Sequence, residues 1–409
     1  MQQLGRQGDH SSLRALALKE VKRAIWRLDA WIEGEGFRGW DPFDALNSPV
    51  LKALSLRNRR LGQVCVQVLK RLPMNSRPFL GIPKGYNPKG MGLFLASYWR
   101  KHRMAKQTAT LQKVEFFADW LRANVSRGYH GACWGYNFDW PNRSFFAPAG
   151  TPTIVNTACI GLAFMDLARE DESRVLGVPA LQTARSACDF ILCDLRAERP
   201  ASDELCFAYT PLDSRRVHNA NALGAWLLAE VAAQTAESDL AKAALASARY
   251  TARRQRPDGA WPYGEGAADA WIDNFHTGYV LMALKRIGDC LGTDEFAAPV
   301  RHGYRFWKTQ MFTPQGVPKY YPGKLHPIDS HCVAVAILTF LAFSDVDAEG
   351  RDLAVQSANW GIAHLQNRAG CFDYQITPIC RIRIPYMRWT QAWMQRALTE
   401  LTLTGETLV

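Results

Sequence analysis

The stretch DGAWPYGEGAADAWIDNFHTGYVLMAL, residues 258–284, decides the fold. Its first half is a polar loop that sets Gly259 beside aromatic residues, Trp261 and Tyr263. Its second half opens on Asp273, Asn274 and His276 and runs into apolar residues at helical spacing. The same order recurs. GACWGYNFDW (131–140) leads through Asn156 into TACIGLAFMDLA. CFAYTPLDSRRVHNANALGAWLLAEV spans 206–231, GVPKYYPGKLHPIDSHCVAVAILTFLAF spans 316–343, and GCFDYQITPICRIRIPYMRWTQAWMQRAL spans 370–398. Self-similarity of this kind settles architecture ahead of any local propensity.

The loop aromatics Trp261, Tyr320 and Tyr374 are about 55 to 60 residues apart. That period holds two helices of ordinary length and two connections, so each unit reads as a helical hairpin. DLAKAALASARYTARRQ (239–255) and DLAVQSANWGIAHLQNR (352–368) supply the second helix of two units, each with an Asp where the helix would start. A sixth, weaker copy is expected in EGFRGWDPFDALNSPVLKAL, where Gly39, Trp40 and Asp41 precede Asn47-Ser48-Pro49 and an apolar run. An insertion rich in Pro and Gly, 73–91, follows it.

Six such hairpins resemble the (α/α)6 toroid, or six-hairpin fold, in which one barrel of helices encloses another; the alternative is an open solenoid of helical pairs. The resemblance covers nearly the whole chain. It implies an all-α single domain over residues 11–409, with 1–10 as a loose tail. Toroids of this sort include glycoside hydrolases, polysaccharide lyases, uronyl C5-epimerases and sugar 2-epimerases. Related double rings carry motifs that this chain lacks. There is no DxDD of the squalene–hopene cyclases and no Cys-His-Gly of the lanthipeptide cyclases. Asp273-Asn274-Phe275 stands where a prenyltransferase β subunit would have a zinc-binding DxC. The glycan-active group remains.

The chain has 409 residues, 48% of them hydrophobic, enough for a large core. It has no linker-like or low-complexity stretch and no apolar run of 18 residues, so neither a second domain nor a membrane span is expected. The start lacks the features of a secretory signal, and the ten Cys residues are scattered without a CxxC pair. Both fit reduced thiols in a cytoplasmic protein. Net charge is +11, but no nucleic-acid motif accompanies it. LSLRNRRLG (54–62) and KRLP (70–73) read either as a solvated helix face or as the rim of a cleft that attracts an acidic substrate.

In a toroid the loops at one end surround a central hollow, and the first turns of the inner helices open there with unpaired N–H groups. Aligning the units puts Asn156, His218, Asn219, Asn221, Asp273, Asn274, His276, Asp329, His331 and Arg388 in that ring. The preceding loops add Trp134, Tyr136, Asp139, Arg143, Tyr209, Trp261, Tyr263, Tyr320, Tyr321, Lys324, His326, Asp373, Tyr374 and Tyr386, with Arg381 and Arg383 in the last of them. Aromatic faces stack on pyranose rings, and Asn, Asp, Arg and His bind hydroxyls and carboxylates, so the mixture suits a saccharide. Two structural roles compete. Asn and Asp before a helix are common caps, and an aromatic beside Gly can plug the space between hairpins.

Asp273 and His276 are three apart, and Asp329 and His331 two apart; either pair can orient an imidazole for proton transfer. Neither HExxH nor a His/Cys zinc spacing appears, so no metal or cofactor is expected. The glycan reading leaves two reactions open. Hydrolysis needs two flanking carboxyl groups, for which Asp139, Asp258, Asp273, Asp373 and Glu265 are available. Epimerisation or elimination at a uronate needs a base, an opposing acid and a cation for the carboxylate. The chain's His, Tyr and Arg content favours the second. His276 or His331 would be the base, Tyr320 or Tyr374 the acid, and Arg383 or Arg388 the carboxylate holder, with an acidic oligosaccharide or polysaccharide as partner. A non-catalytic glycan-binding or scaffold protein is the alternative from another class.

Overall fold

The computed structural model describes residues 2–141, 146–171 and 175–406. Among them the helices are, in chain order, α1 (Gln2–Gly34), α2 (Pro49–Arg57), α3 (Arg59–Arg71), α4 (Pro88–Ala105), α5 (Thr108–Ala123), α6 (Ile154–Glu170), α7 (Gly177–Cys193), α8 (His218–Thr235), α9 (Ser238–Arg253), α10 (Asn274–Leu291), α11 (Ala297–Gln310), α12 (Ser330–Ala342), α13 (Gly350–Leu365) and α14 (Trp393–Glu406). A π-helical turn, Met387–Ala392, leads into α14. Strands are two-residue ladders within the loops, the largest joining Ile328–Asp329, Gln375–Ile376 and Arg381–Ile382.

Helices α4, α6, α8, α10, α12 and α14 each pack on the next, and α14 packs on α4, so the inner six close into a ring. Outside them α5, α7, α9, α11 and α13 each pack on the inner helix that precedes them, while α1 packs on α13 and α14. This is an all-α (α/α)6 toroid and not an open solenoid. Its last hairpin is assembled from the two ends of the chain, with α14 inside and α1 outside.

The weak sixth copy is corrected. The apolar run after Asn47 forms the short α2, which is not an inner helix. The inner helix of that unit starts inside the presumed insertion, at Pro88. Helices α2 and α3 are the inserted pair, and they form a small core of their own with Leu46, Val66, Leu69 and Ile82. Repeat alignment misses this because α4 is capped by Asn87 behind a long detour instead of a short loop.

The first turns repeat one solution. Thr153, Asp273 and Asp329 accept hydrogen bonds from the backbone N–H groups of Asn156, His276 and His331. Each removes one orphan donor and faces a carboxylate or hydroxyl to the helix dipole. Further along, Arg100, Asp166, Glu230 and Arg286 each stand twelve residues after the first residue of α4, α6, α8 and α10. That is about 18 Å down the axis at 1.5 Å per residue. Arg100 pairs with Asp166 and Glu170, and Arg286 with the buried Glu230. This charged belt crosses the ring well below the first turns, which frame an open cavity.

Candidate functional site

The cavity at those first turns holds about 480 Å3 and receives a side chain from every inner helix or its lead-in turn: Lys89, Val155, Asn219, His276, His331 and Arg388. Loop aromatics Tyr136, Tyr209, Tyr263, Trp271, Tyr320 and Tyr321 form much of the wall, and Gln63, Gln67, Lys70 and Arg71 of α3 reach it from the inserted pair. Two rings are stiffened by stacking, Tyr136 on Phe138 at 5.1 Å and Tyr263 on Trp271 at 4.4 Å.

Asp273 does two things at once. One carboxylate oxygen caps α10 through the His276 N–H (2.9 Å), and the other accepts from His276 Nδ1 at 2.7 Å. The ring of His276 is thereby fixed with Nδ1 as donor, and it lies partly exposed on the cavity wall, 4.6 Å from Tyr263. An imidazole oriented by a buried carboxylate is suited to taking a proton at its other nitrogen.

His331 is built differently. Its Nδ1 donates to the Trp389 carbonyl at 3.0 Å, so Nε2 is the acceptor for the Tyr279 hydroxyl at 2.6 Å. Burial, followed by the nearby Lys89, holds its pKa well below the ordinary histidine value, which keeps the ring neutral. The expected Asp329–His331 pairing is corrected. Asp329 caps the helix through the His331 N–H and accepts from the Trp389 indole and Gln375, never from the imidazole. Burial raises the Asp329 pKa to about 6.

Charge at the cavity is unequal. Among the described lining residues Lys70, Arg71, Lys89, Arg215 and Arg388 face only Asp269 and Asp273. Arg388 donates from Nε and Nη2 to the two carboxylate oxygens of Asp41 (2.6 and 2.8 Å), and Arg215 pairs with Asp269 at 2.6 Å. Lys70 and Lys89 make no carboxylate ion pair with a described residue. Lys70 lies over Phe43 (4.6 Å) and Trp389 (5.5 Å), and Lys89 over Trp393 (5.4 Å) and Tyr279 (5.8 Å). Burial lowers both ammonium pKa values, that of Lys70 to about 8.

The residues singled out from sequence divide in two. Asp273, His276, His331, Tyr136, Tyr209, Asn219, Tyr263, Tyr320, Tyr321 and Arg388 line the cavity. The others do not. Tyr374, Trp134 and Trp261 are buried behind the wall, and the two indoles donate to the carbonyls of Leu121 and Thr251. They plug the gaps between hairpins: a Cβ on Gly303 would meet Trp261 at 2.2 Å. Asn156 and His218 are buried away from the lining. Asn274 holds the backbone at Met311 and Lys319, and Asp139 pairs with Lys52. Asp329 sits under the wall, and Arg383 is exposed outside it. Arg143 lies outside the described residues.

Sequence reading missed Lys89, Arg215 and Tyr279, and it named Lys70 only within the KRLP cluster, with a solvated face as the alternative to a cleft rim. A signal existed for Tyr279, which follows His276 by one helical turn, and for Lys89, which follows the Asn87 cap as His331 follows Asp329. No described group of three His, Cys, Asp or Glu side chains is arranged to hold a metal ion.

Six hairpins around one polar, aromatic cavity define the class of fold, and solved structures share it. A cellobiose 2-epimerase from Bacillus thermoamylovorans superposes with a TM-score of 0.61 at 10% identity, over 78% of this chain and 90% of that one. A D-mannose isomerase gives 0.60 at 11% identity, over 78% and 87%. A family 76 α-mannanase from Bacteroides thetaiotaomicron gives 0.58 at 10% identity, over 78% and 87%. At such identities the likeness is one of fold. No protein-family model and no curated protein matches the sequence.

Proposed function

We propose that this protein is a carbohydrate-active enzyme that abstracts a proton beside the carboxylate of an acidic saccharide, as an epimerase or lyase. The observation that carries this reading is His276, oriented by Asp273 at 2.7 Å on the wall of a cavity whose lining carries more cations than carboxylates. His276 Nε2 takes the proton, and Asp273 stabilises the imidazolium that forms. Lys70 and Lys89, which pair with no carboxylate among the described residues, attract the substrate's acid group and stabilise the enolate. Tyr279 replaces Tyr374 as the opposing acid. Burial raises its pKa well above 10, so the phenol keeps its proton, and its hydroxyl is held by neutral His331. Arg388 shapes the site through Asp41 and does not grip substrate with both arms.

Hydrolysis is less well supported, because both carboxylates in the lining are engaged, Asp269 by Arg215 and Asp273 by the helix end and His276. The fold-mates named above include enzymes of neutral sugars, so the test offers both kinds of substrate. The protein is incubated in deuterium oxide with uronate-containing disaccharides, cellobiose and mannose, and followed by proton NMR. Solvent deuterium at uronate C5, or an unsaturated uronate, is the expected result, with a fall of about 10²- to 10⁴-fold in His276→Ala. Exchange at C2 of a neutral sugar alone would overturn the acidic substrate. New reducing ends without exchange would overturn proton abstraction.

A further inference from the structure

The inserted pair α2–α3 leaves a face that no described residue covers. On α3 the residues Leu61, Val64 and Val68 follow one another at spacings of three and four, on one side of the helix, and all are exposed, Val64 by 55% and Val68 by 53%. On α2, Val50 and Leu54 repeat this, exposed by 62% and 45%. Met74 and Phe79, just beyond α3, are exposed by 69% and 87%. The opposite side of α3 is already occupied, with Val66 and Leu69 in the small core and Gln63, Gln67 and Lys70 at the cavity. Soluble surfaces rarely gather so many large apolar side chains in so short a segment.

The segment that carries this face is basic in its own sequence, although Lys52 and Arg77 are paired with Asp139 and Asp44 from outside the pair of helices. From Ala45 to Val114 the chain contains 14 Lys and Arg and no Asp or Glu. The other 339 residues hold 35 basic against 38 acidic, so this one segment accounts for the whole positive charge of the molecule. The α2–α3 turn reads Arg57-Asn58-Arg59-Arg60. An apolar stripe beside a turn rich in arginine is the pattern of a helix that lies in the interface of an anionic bilayer. No described helix is long and apolar enough to cross one.

We infer that α2 and α3 dock this protein peripherally on an anionic lipid bilayer, with the apolar stripes entering the headgroup region and Arg60 meeting lipid phosphates. Because α3 also supplies cavity wall, docking holds the cavity mouth close to the membrane plane. If the proposed function holds, its saccharide is then membrane-anchored; the docking itself does not depend on that reading.

The test is co-sedimentation of the full-length protein with vesicles of phosphatidylcholine alone or mixed with phosphatidylglycerol, alongside light scattering without lipid. The expected result is a monomer that pellets only with the anionic vesicles and is released by salt. The Val64→Asp/Val68→Asp variant should bind about tenfold more weakly or worse. Arg60→Glu, which leaves the apolar face intact, should also weaken binding, and both should keep the wild-type melting temperature. A monomer that ignores anionic vesicles overturns the inference. So does a lipid-free dimer that the Asp pair splits, since the face would then belong to a second copy.

Discussion

At the residue scale, the decisive contrast is between two histidines that look alike in sequence. Each follows an aspartate at a helix start, and each aspartate caps its helix. Only Asp273 also reaches its histidine's ring, because three residues complete nearly one turn and two do not. His331 is instead captured by Tyr279 and Trp389, 52 and 58 residues away in the chain, and no local spacing reports such partners. The cations tell the same story. Lys70 and Lys89 matter because of what surrounds them, and burial has moved the Lys70 pKa from 10.5 to about 8. A lysine with a depressed pKa is charged below that value and neutral above it. Under the proposed function, KM for an acidic saccharide is therefore flat below pH 8 and rises above it as Lys70 loses its proton. Lys70→Met should raise KM at neutral pH by about tenfold, the loss of one charge-assisted contact, and flatten this limb of the profile. A KM–pH profile of both proteins checks it.

At the element scale, helices and caps follow from sequence because they depend on neighbours a few residues apart. The expected helices at 239–255 and 352–368 appear as α9 and α13 with nearly those bounds. The inserted pair was misjudged because α2 has an apolar start and a good Ser48 cap, so it satisfies the local pattern without joining the ring. What distinguishes an inner helix is close approach on two sides. A Cβ on Gly278 of α10 would stand 2.8 Å from both Thr339 Oγ1 and Val335 Cγ1 of α12, and one on Gly161 of α6 would meet Leu227 of α8 at 2.6 Å. Gly278→Val should destabilise the protein by about 1–3 kcal/mol through overpacking, despite removing a helix-interior glycine. Urea denaturation measures this as a lower midpoint with an unchanged slope.

At the scale of the whole molecule, the ring closes only when the two chain ends meet. The α1 residues Val21, Leu28 and Ile32 are fully buried, and Arg27 donates to the carbonyls of Asn367 and Arg368. Leu28→Ala should cost about 2–5 kcal/mol. Because α1 is the outer half of the last hairpin, the variant should also expose the segment before α14 to limited proteolysis earlier than the rest. Uniform protection of that segment at the destabilised midpoint would show that closure does not depend on α1.

The amino-acid sequence by itself determined the repeating helical hairpins, their caps, the apolar inner helices and the aromatic loops, because each rests on periodicity and short-range hydrogen bonding. Tertiary structure alone decided which of those loop and cap side chains meet. Arg388 and Asp41 are 347 residues apart, and their bidentate pair exists only in a closed ring. The same closure turns Trp134, Trp261 and Tyr374 into buried packing and brings Lys70 and Lys89 beside His276 and His331, since a cavity is formed by surfaces that no single hairpin possesses.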